Sequence, residues 1–316
     1  MLPLNKSLVS SSEKDGVKTS YYYFNGEAAA DGVTRVYAKL AEPTEKTDVA
    51  ILVMDDLGRG IELFDCEKYL SAGFSVLVVD YTGFSENAAR YTIYPKSLCL
   101  ANAELYPDTI NSIGETVKVS CRYIWATDAM RGITLLEELG YEKIAMIGIG
   151  DGGHQVYKAA FFEKNLICAA VKYSGTLCDL EGELDDNELS FKTALSNISY
   201  VPYVKCPILI QATSNEQNSG FDELNEIFSA LEQNEKLIAV SPRCDKMIEP
   251  AQKYNIPLFF SATMKGEKLP AAPTISFNGS EKSLYAEISA DDSLKIDSAQ
   301  LYVAYSQKVS AYRNWH

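Results

Sequence analysis

Residues 143–154 read KIAMIGIGDGGH, and the rest of the chain is organised around them. A short apolar run, Ile144 to Ile147, stops at Gly148; Gly150, Gly152 and Gly153 follow in quick succession, and residues 155–162 resume a helix-compatible pattern. The stretch reads as a buried strand, a glycine-dense turn and the start of a helix. Glycine gives such a turn positive φ angles and lets strand and helix backbones approach closely. The helix start leaves N–H groups unpaired and pointing outward. A turn of this kind either holds an anion or presents a nucleophile.

Two templates compete for it. Gly148, Gly150 and Gly153 match the GxGxxG spacing of a dinucleotide site. That signature opens its βαβ unit early and carries an acidic residue about 20 positions on. Here several strand units come first, and the next apolar run, 166–173, ends without an acid. The second template is the nucleophile elbow, small-x-nucleophile-x-small-small. Gly148, Ile149, Asp151, Gly152 and Gly153 fill every position except the central one, which is Gly150. Shifting the elbow so that Asp151 becomes the nucleophile places Ile149 and His154 where small residues are required.

Outward from the turn, residues 49–54 and 76–79 are continuous apolar runs closed by Asp55-Asp56-Leu57-Gly58 and Asp80-Tyr81-Thr82-Gly83, and a helix is expected between them, ending near Tyr69. Apolar runs also fall at 168–171, 208–212 and 236–240. Solid apolar strands alternating with helices predict a mainly parallel sheet covered on both faces. Residues 17–42 alternate like an antiparallel hairpin. Residues 121–139 predict an amphipathic helix with Trp125, Ala129, Ile133 and Leu136 on one face, and 221–231 and 256–264 predict further helices. Residues 91–119 read as an irregular insertion, and the acidic stretch 179–188 as a loop or lid. Past Pro270, Tyr-rich alternation at 274–277, 284–288 and 299–305 predicts a short antiparallel extension that packs on the main domain or belongs to a sandwich. The expected organisation is a main α/β domain over 1–270 and a β extension over 271–316.

The chain has 316 residues and a net charge of −14 spread along its length. That charge disfavours nucleic acid and anionic membrane as partners. The seven cysteines show no CxxC and no metal-ligand spacing, as expected of reduced thiols. No apolar leader stands at the N-terminus, so a cytoplasmic location is expected. No motif calls for a cofactor or a metal. Only two histidines are present, His154 and His316.

In their order and spacing these pieces resemble the α/β-hydrolase superfamily, and within it the acetyl xylan esterase and cephalosporin C deacetylase branch. ILVMDDLGRG (51–60) resembles the strand and oxyanion loop, VLVVDYTG (76–83) the next strand, IGIGDGG (147–153) the elbow, CPILIQATSNE (206–216) the strand that delivers the acid, and FFSATMKGEKLPAAP (259–273) the closing helix and its exit. The resemblance implies the α/β-hydrolase fold. It places the nucleophile at Gly150, the acid at Glu216, the histidine in the loop holding Cys244 and Asp245, and the oxyanion-type backbone donors at Leu57 and Asp151. Neither a nucleophile nor a histidine stands at its position. Serine hydrolysis needs a hydroxyl to attack and an imidazole to move its proton, so the expectation is a pseudo-hydrolase that binds a small molecule, carbohydrate or ester-like, or a partner in the former pocket. The alternatives are a hydrolase working through non-standard residues and an interaction protein that uses the Tyr-rich tail. Candidate pocket-rim residues are Asp55, Asp56, Asp151, His154, Glu216 and Asp245. His154 reads more simply as a buried structural histidine. The acids either crowd one rim, attracting a cation or a polyol, or cap helices and turns.

Overall fold

The structure, a computed structural model, describes residues 2–83, 90–113, 115–175, 177, 185–216, 220–232, 235–244, 252–280, 283–291, 293 and 295–302. A nine-stranded sheet carries the chain: β1 (Ser7–Lys14), β2 (Val17–Ala29), β3 (Gly32–Pro43), β4 (Val49–Met54), β5 (Ser75–Asp80), β6 (Lys143–Ile149), β7 (Leu166–Lys172), β8 (Ile208–Thr213) and β9 (Lys236–Ser241), in the spatial order β1-β2-β3-β5-β4-β6-β7-β8-β9. Pairings from β1 through β3 to β5 are antiparallel, and from β5 to β9 they are parallel. The order doubles back at β5 and β4, so the loops after β4 and β6 meet beside each other at the carboxyl ends of two paired strands, where open sheets of this type take ligands.

Helices cover both faces, as the continuous apolar strands require. On one side α2 (Cys121–Glu138) and α3 (Gly153–Phe162) pack Trp125, Ile133, Leu136, Val156 and Tyr157 against Leu52, Met54, Met146 and Val171. On the other, α1 (Glu67–Ser71) and α6 (Asn255–Lys265) pack Tyr69, Phe259 and Phe260 against Ile51, Val53, Val76, Ile147 and Ala170. All six residues of β4 are buried. Full burial contributes about 1.5–3 kcal/mol for each large apolar side chain, so this strand admits no polar position. α4 (Asp186–Leu195) and α5 (Phe221–Ala230) complete the helices.

Several elements differ from expectation. β1 was not foreseen: SLVSSSEK is an exposed edge strand whose place is set by its pairing with β2. The helix before Tyr69 starts only at Glu67. In the acidic stretch, residues 179–184 lie outside the described residues, and the remainder opens α4 through a capping box in which Asp185 and Glu188 each accept the other's backbone N–H. α2 is buried on more than one face. Arg122, Asp128 and Arg131 join Trp125 in the interior, because the N-terminal segment covers the helix: Arg131 donates to Asn25 O (2.9 Å) and Leu2 O (3.0 Å), and Asn25 donates to Leu4 O (2.7 Å) and Pro3 O (3.0 Å).

The tail forms a separate two-stranded sheet, β10 (Thr274–Ser280) and β11 (Ser283–Ser289). Ile275 pairs with Ile288 and Phe277 with Ala286, so they share one face. That face is uncovered, with Ile275, Phe277 and Ile288 54, 65 and 56% exposed. Among the described residues the hairpin has no covering layer, and the tail meets the main domain further on, where the Arg243 guanidinium lies over the Tyr302 ring at 5.3 Å. Of the third expected strand, residues 299–302 are not in a strand and 303–305 lie outside the described residues. No helix among the described residues is long and apolar enough to cross a membrane.

Candidate functional site

The turn after β6 is a single 3-10 turn, Gly150–Gly152, running into α3. Gly150 sits at φ +53°, in the left-handed region where a side chain would be strained. Its neighbours are small for a different reason. A Cβ on Gly152 would overlap the carbonyl of Met54, and one on Gly153 would overlap the Ser174 hydroxyl. The Ser174 hydroxyl in turn donates to Gly150 O. The turn is thus packed against the backbone of the loop after β4 and against the Ser174 side chain just past β7.

A Cβ on Gly150 would overlap all three atoms of the Asp56 carboxylate. Asp56 therefore stands where a side chain at the elbow would stand. Its Oδ1 accepts from Leu57 N (3.0 Å) and from Asp151 N (3.0 Å). The two backbone donors expected of an oxyanion-binding site do converge on one oxygen atom, and that atom belongs to the chain itself.

The remaining acids are also matched with donors. The Asp151 carboxylate lies 2.5 Å from the Arg122 guanidinium, whose side chain is 3% exposed. Arg122 also donates to Asn111 Oδ1 (2.9 Å) and stacks over Trp125. Asp55 accepts from Asp56 N (2.8 Å), and Arg59 Nε lies 3.7 Å from its other oxygen. Burial holds the Asp55 carboxyl above the usual carboxylate range. Tyr81 donates to Asp55 O (2.6 Å); burial first, and then the charges of Asp151 and Asp56, push its hydroxyl far above the ordinary phenol range. Among the described residues no group of three His, Cys, Asp or Glu side chains is placed to hold a metal ion.

His154 is buried in the first turn of α3. Asn197 Nδ2 lies 2.7 Å from Gly175 O, which only accepts, so this atom is the amide's donor end; it lies 2.7 Å from His154 Nδ1 as well. Asn197 Oδ1 accepts from Lys158 Nζ (3.1 Å). His154 Nδ1 is then an acceptor, and the ring hydrogen sits on Nε2. Burial, followed by the charges of Arg122 and Lys158, holds His154 well below the usual histidine range. A neutral ring held at Nδ1 by an amide is a fixed part of the interior. Among the described residues it has no carboxylate partner to orient it for proton transfer of the triad type.

Glu216 follows β8 and is 2% exposed, buried rather than on an open rim. The loops after β8 and β9 are tied together, with Asn215 donating to Cys244 O (3.0 Å) and Arg243 N to Ser214 Oγ (2.7 Å). Asp245 lies outside the described residues. The structure thus gathers Asp55, Asp56, Leu57, Gly150 and Asp151 at one point and gives each of the three acids there a donor. Arg122, Lys158 and Asn197 were not foreseen. The sequence signal for Arg122 was a cation one helical turn before the buried Trp125.

No family model matches the chain, and no curated protein is similar to it in sequence. Solved structures are similar in fold. The acetyl xylan esterase from Paenibacillus sp. R4 has a TM-score of 0.63 at 13% identity, over 83% of this chain and 90% of its own. Acetyl xylan esterase 1 from Thermoanaerobacterium sp. JW/SL YS485 gives 0.60 at 13% identity, over 81 and 86%. A cold-adapted esterase from an Arctic intertidal metagenomic library gives 0.58 at 13%, over 83 and 99%. The chain has an α/β-hydrolase fold. Within it, the doubled-back strand order sets the glycine-rich turn after β6 beside the loop after β4, the two segments that Asp56 joins.

Proposed function

We propose that this α/β-hydrolase-fold protein has no serine-hydrolase activity and binds a small molecule in the former active-site pocket. The observation that carries the reading is the position of Asp56: its carboxylate fills the space of a nucleophile side chain and occupies both backbone donors, above a Gly150 that has nothing to attack with. Triad hydrolases stripped of their triad keep about 10³–10⁴-fold catalysis over water, from the oxyanion hole and binding alone. Here even that residue of activity is opposed, because the Asp56 carboxylate sits where negative charge would have to develop. Nor does Asp151 offer a substitute nucleophile, since its carboxylate is held by Arg122.

The test is hydrolysis of a short-chain aryl acetate together with labelling by a fluorophosphonate serine probe. Neither should exceed buffer and heat-denatured controls, and Gly150→Ser should restore neither. Turnover that disappears in Asp151→Ala or Glu216→Ala would replace this reading with hydrolysis through non-standard residues.

A further inference from the structure

Around Asp56 the structure sets out hydrogen-bond donors, and the acceptors that meet them are the chain's own acids. Leu57 N and Asp151 N both point at Asp56 Oδ1 at 3.0 Å. The guanidinium of Arg122 faces the Asp151 carboxylate at 2.5 Å, and its Nε has no hydrogen-bond acceptor among the described residues. Two aimed amides, with a buried guanidinium on the neighbouring Asp151, form a set that recognises an oxyanion. The missing side chain at Gly150 supplies the room in which the bound carboxylate lies.

We propose that this site is a receptor for a carboxylate-bearing small molecule and that Asp56 is its built-in competitor, which such a ligand displaces. The proposal rests on the reading above that the elbow no longer performs acyl transfer. A planar carboxylate fits the geometry because it is what the site now holds: one oxygen shared by two amides, with its carbon and second oxygen in the space over Gly150. Asp56 is suited to leave. It is half-buried, and after Leu57 it is followed by the exposed Gly58 and Arg59. Being intramolecular, it competes at high effective concentration, so ligands bind the wild-type chain more weakly than a chain without it.

The experiment titrates wild type, Asp56→Ala and Asp56→Asn with sodium formate and sodium acetate against sodium chloride and phosphate at matched ionic strength. Melting temperature and the amide ¹H–¹⁵N shifts of Leu57 and Asp151 are followed. Asp56→Ala should gain stability and move both amides at millimolar formate. Wild type should respond at least about tenfold more weakly, as expected of an effective concentration in the millimolar range or above. Asp56→Asn, whose Oδ1 still accepts from both amides, should behave like wild type. Asp56→Ser, too short to reach both donors, serves if Asp56→Ala does not fold, and should show the same gain. A carboxylate response no larger than that to chloride would overturn the proposal. So would a response that leaves the two amides unmoved, or a preference for phosphate. Aryl-acetate turnover measured on the same wild-type sample tests the pseudo-hydrolase reading separately, so either can fail while the other stands.

Discussion

The elbow after β6 and the hairpin β10–β11 are opposite cases of agreement between pattern and packing. At the elbow the glycines are locked against the Met54 carbonyl and the Ser174 hydroxyl, although the reactive side chain they would serve is absent. The hairpin has near-perfect alternation, yet the apolar face made by Ile275, Phe277 and Ile288 is more than half exposed. The glycine turn has this backbone because β4, β6 and α3 cannot pack without it. Alternation, by contrast, says which face of a strand is apolar and nothing about whether a second layer covers it.

The comparison breaks hardest at Gly152. Gly152→Ala drives a Cβ into backbone atoms of Met54 and Asp55 that have no rotamer by which to yield. A loss of about 3 kcal/mol or more is expected, read as a fall in the urea midpoint or as loss of folded protein.

An intermediate effect is expected at Asp128 on α2. This residue is 0% exposed, accepts from Tyr94 Oη at 3.3 Å, and has a second oxygen without a hydrogen bond among the described residues. Burial raises its carboxyl far above the ordinary range. The folded chain therefore keeps a proton that the unfolded chain releases above about pH 3.9. The contribution of this group to stability is complete below that pH and is lost as pH rises toward the folded value. Asp128→Asn does not titrate. Its melting temperature relative to wild type should thus be higher at pH 7.5 than at pH 3.5, by roughly 2–4 °C for each kcal/mol relieved; an unchanged difference would mean that the carboxylate is charged in the fold. The smallest effect is expected on the hairpin, where Phe277→Ser should change stability by less than about 0.5 kcal/mol. A larger loss in urea unfolding would show that the face is covered in solution.

Much of the fold was legible because buried parallel strands must be continuously apolar. Ile144 to Ile147 and the run ended by Met54 have no other reading so close to turn residues. β1 was hidden because an exposed edge strand needs no apolar residue, and Ser10, Ser11 and Ser12 take their conformation from pairing with Tyr21, Ser20 and Thr19. The capping box of Asp185 and Glu188 was legible in principle but sat inside a stretch dominated by charge. At the site, the loss at Gly150 could be read directly. The place of Asp56 could not, since sequence shows a carboxylate near the expected donors but not that the donors point at it. Arg122 and Asn197 reach the site from α2 and from the turn after α4, distances along the chain that no local pattern spans.

The buried Arg131 ties the first described residues into the middle of the molecule. Its guanidinium holds the carbonyls of Leu2 and Asn25 together, and Asn25 grips Pro3 and Leu4 in return. Peeling this strap away breaks the guanidinium's bond to Leu2 O and uncovers that face of α2, so the segment is held more firmly than a fraying end. It makes the N-terminal hairpin and the third turn of α2 a single cooperative unit that opens together or not at all.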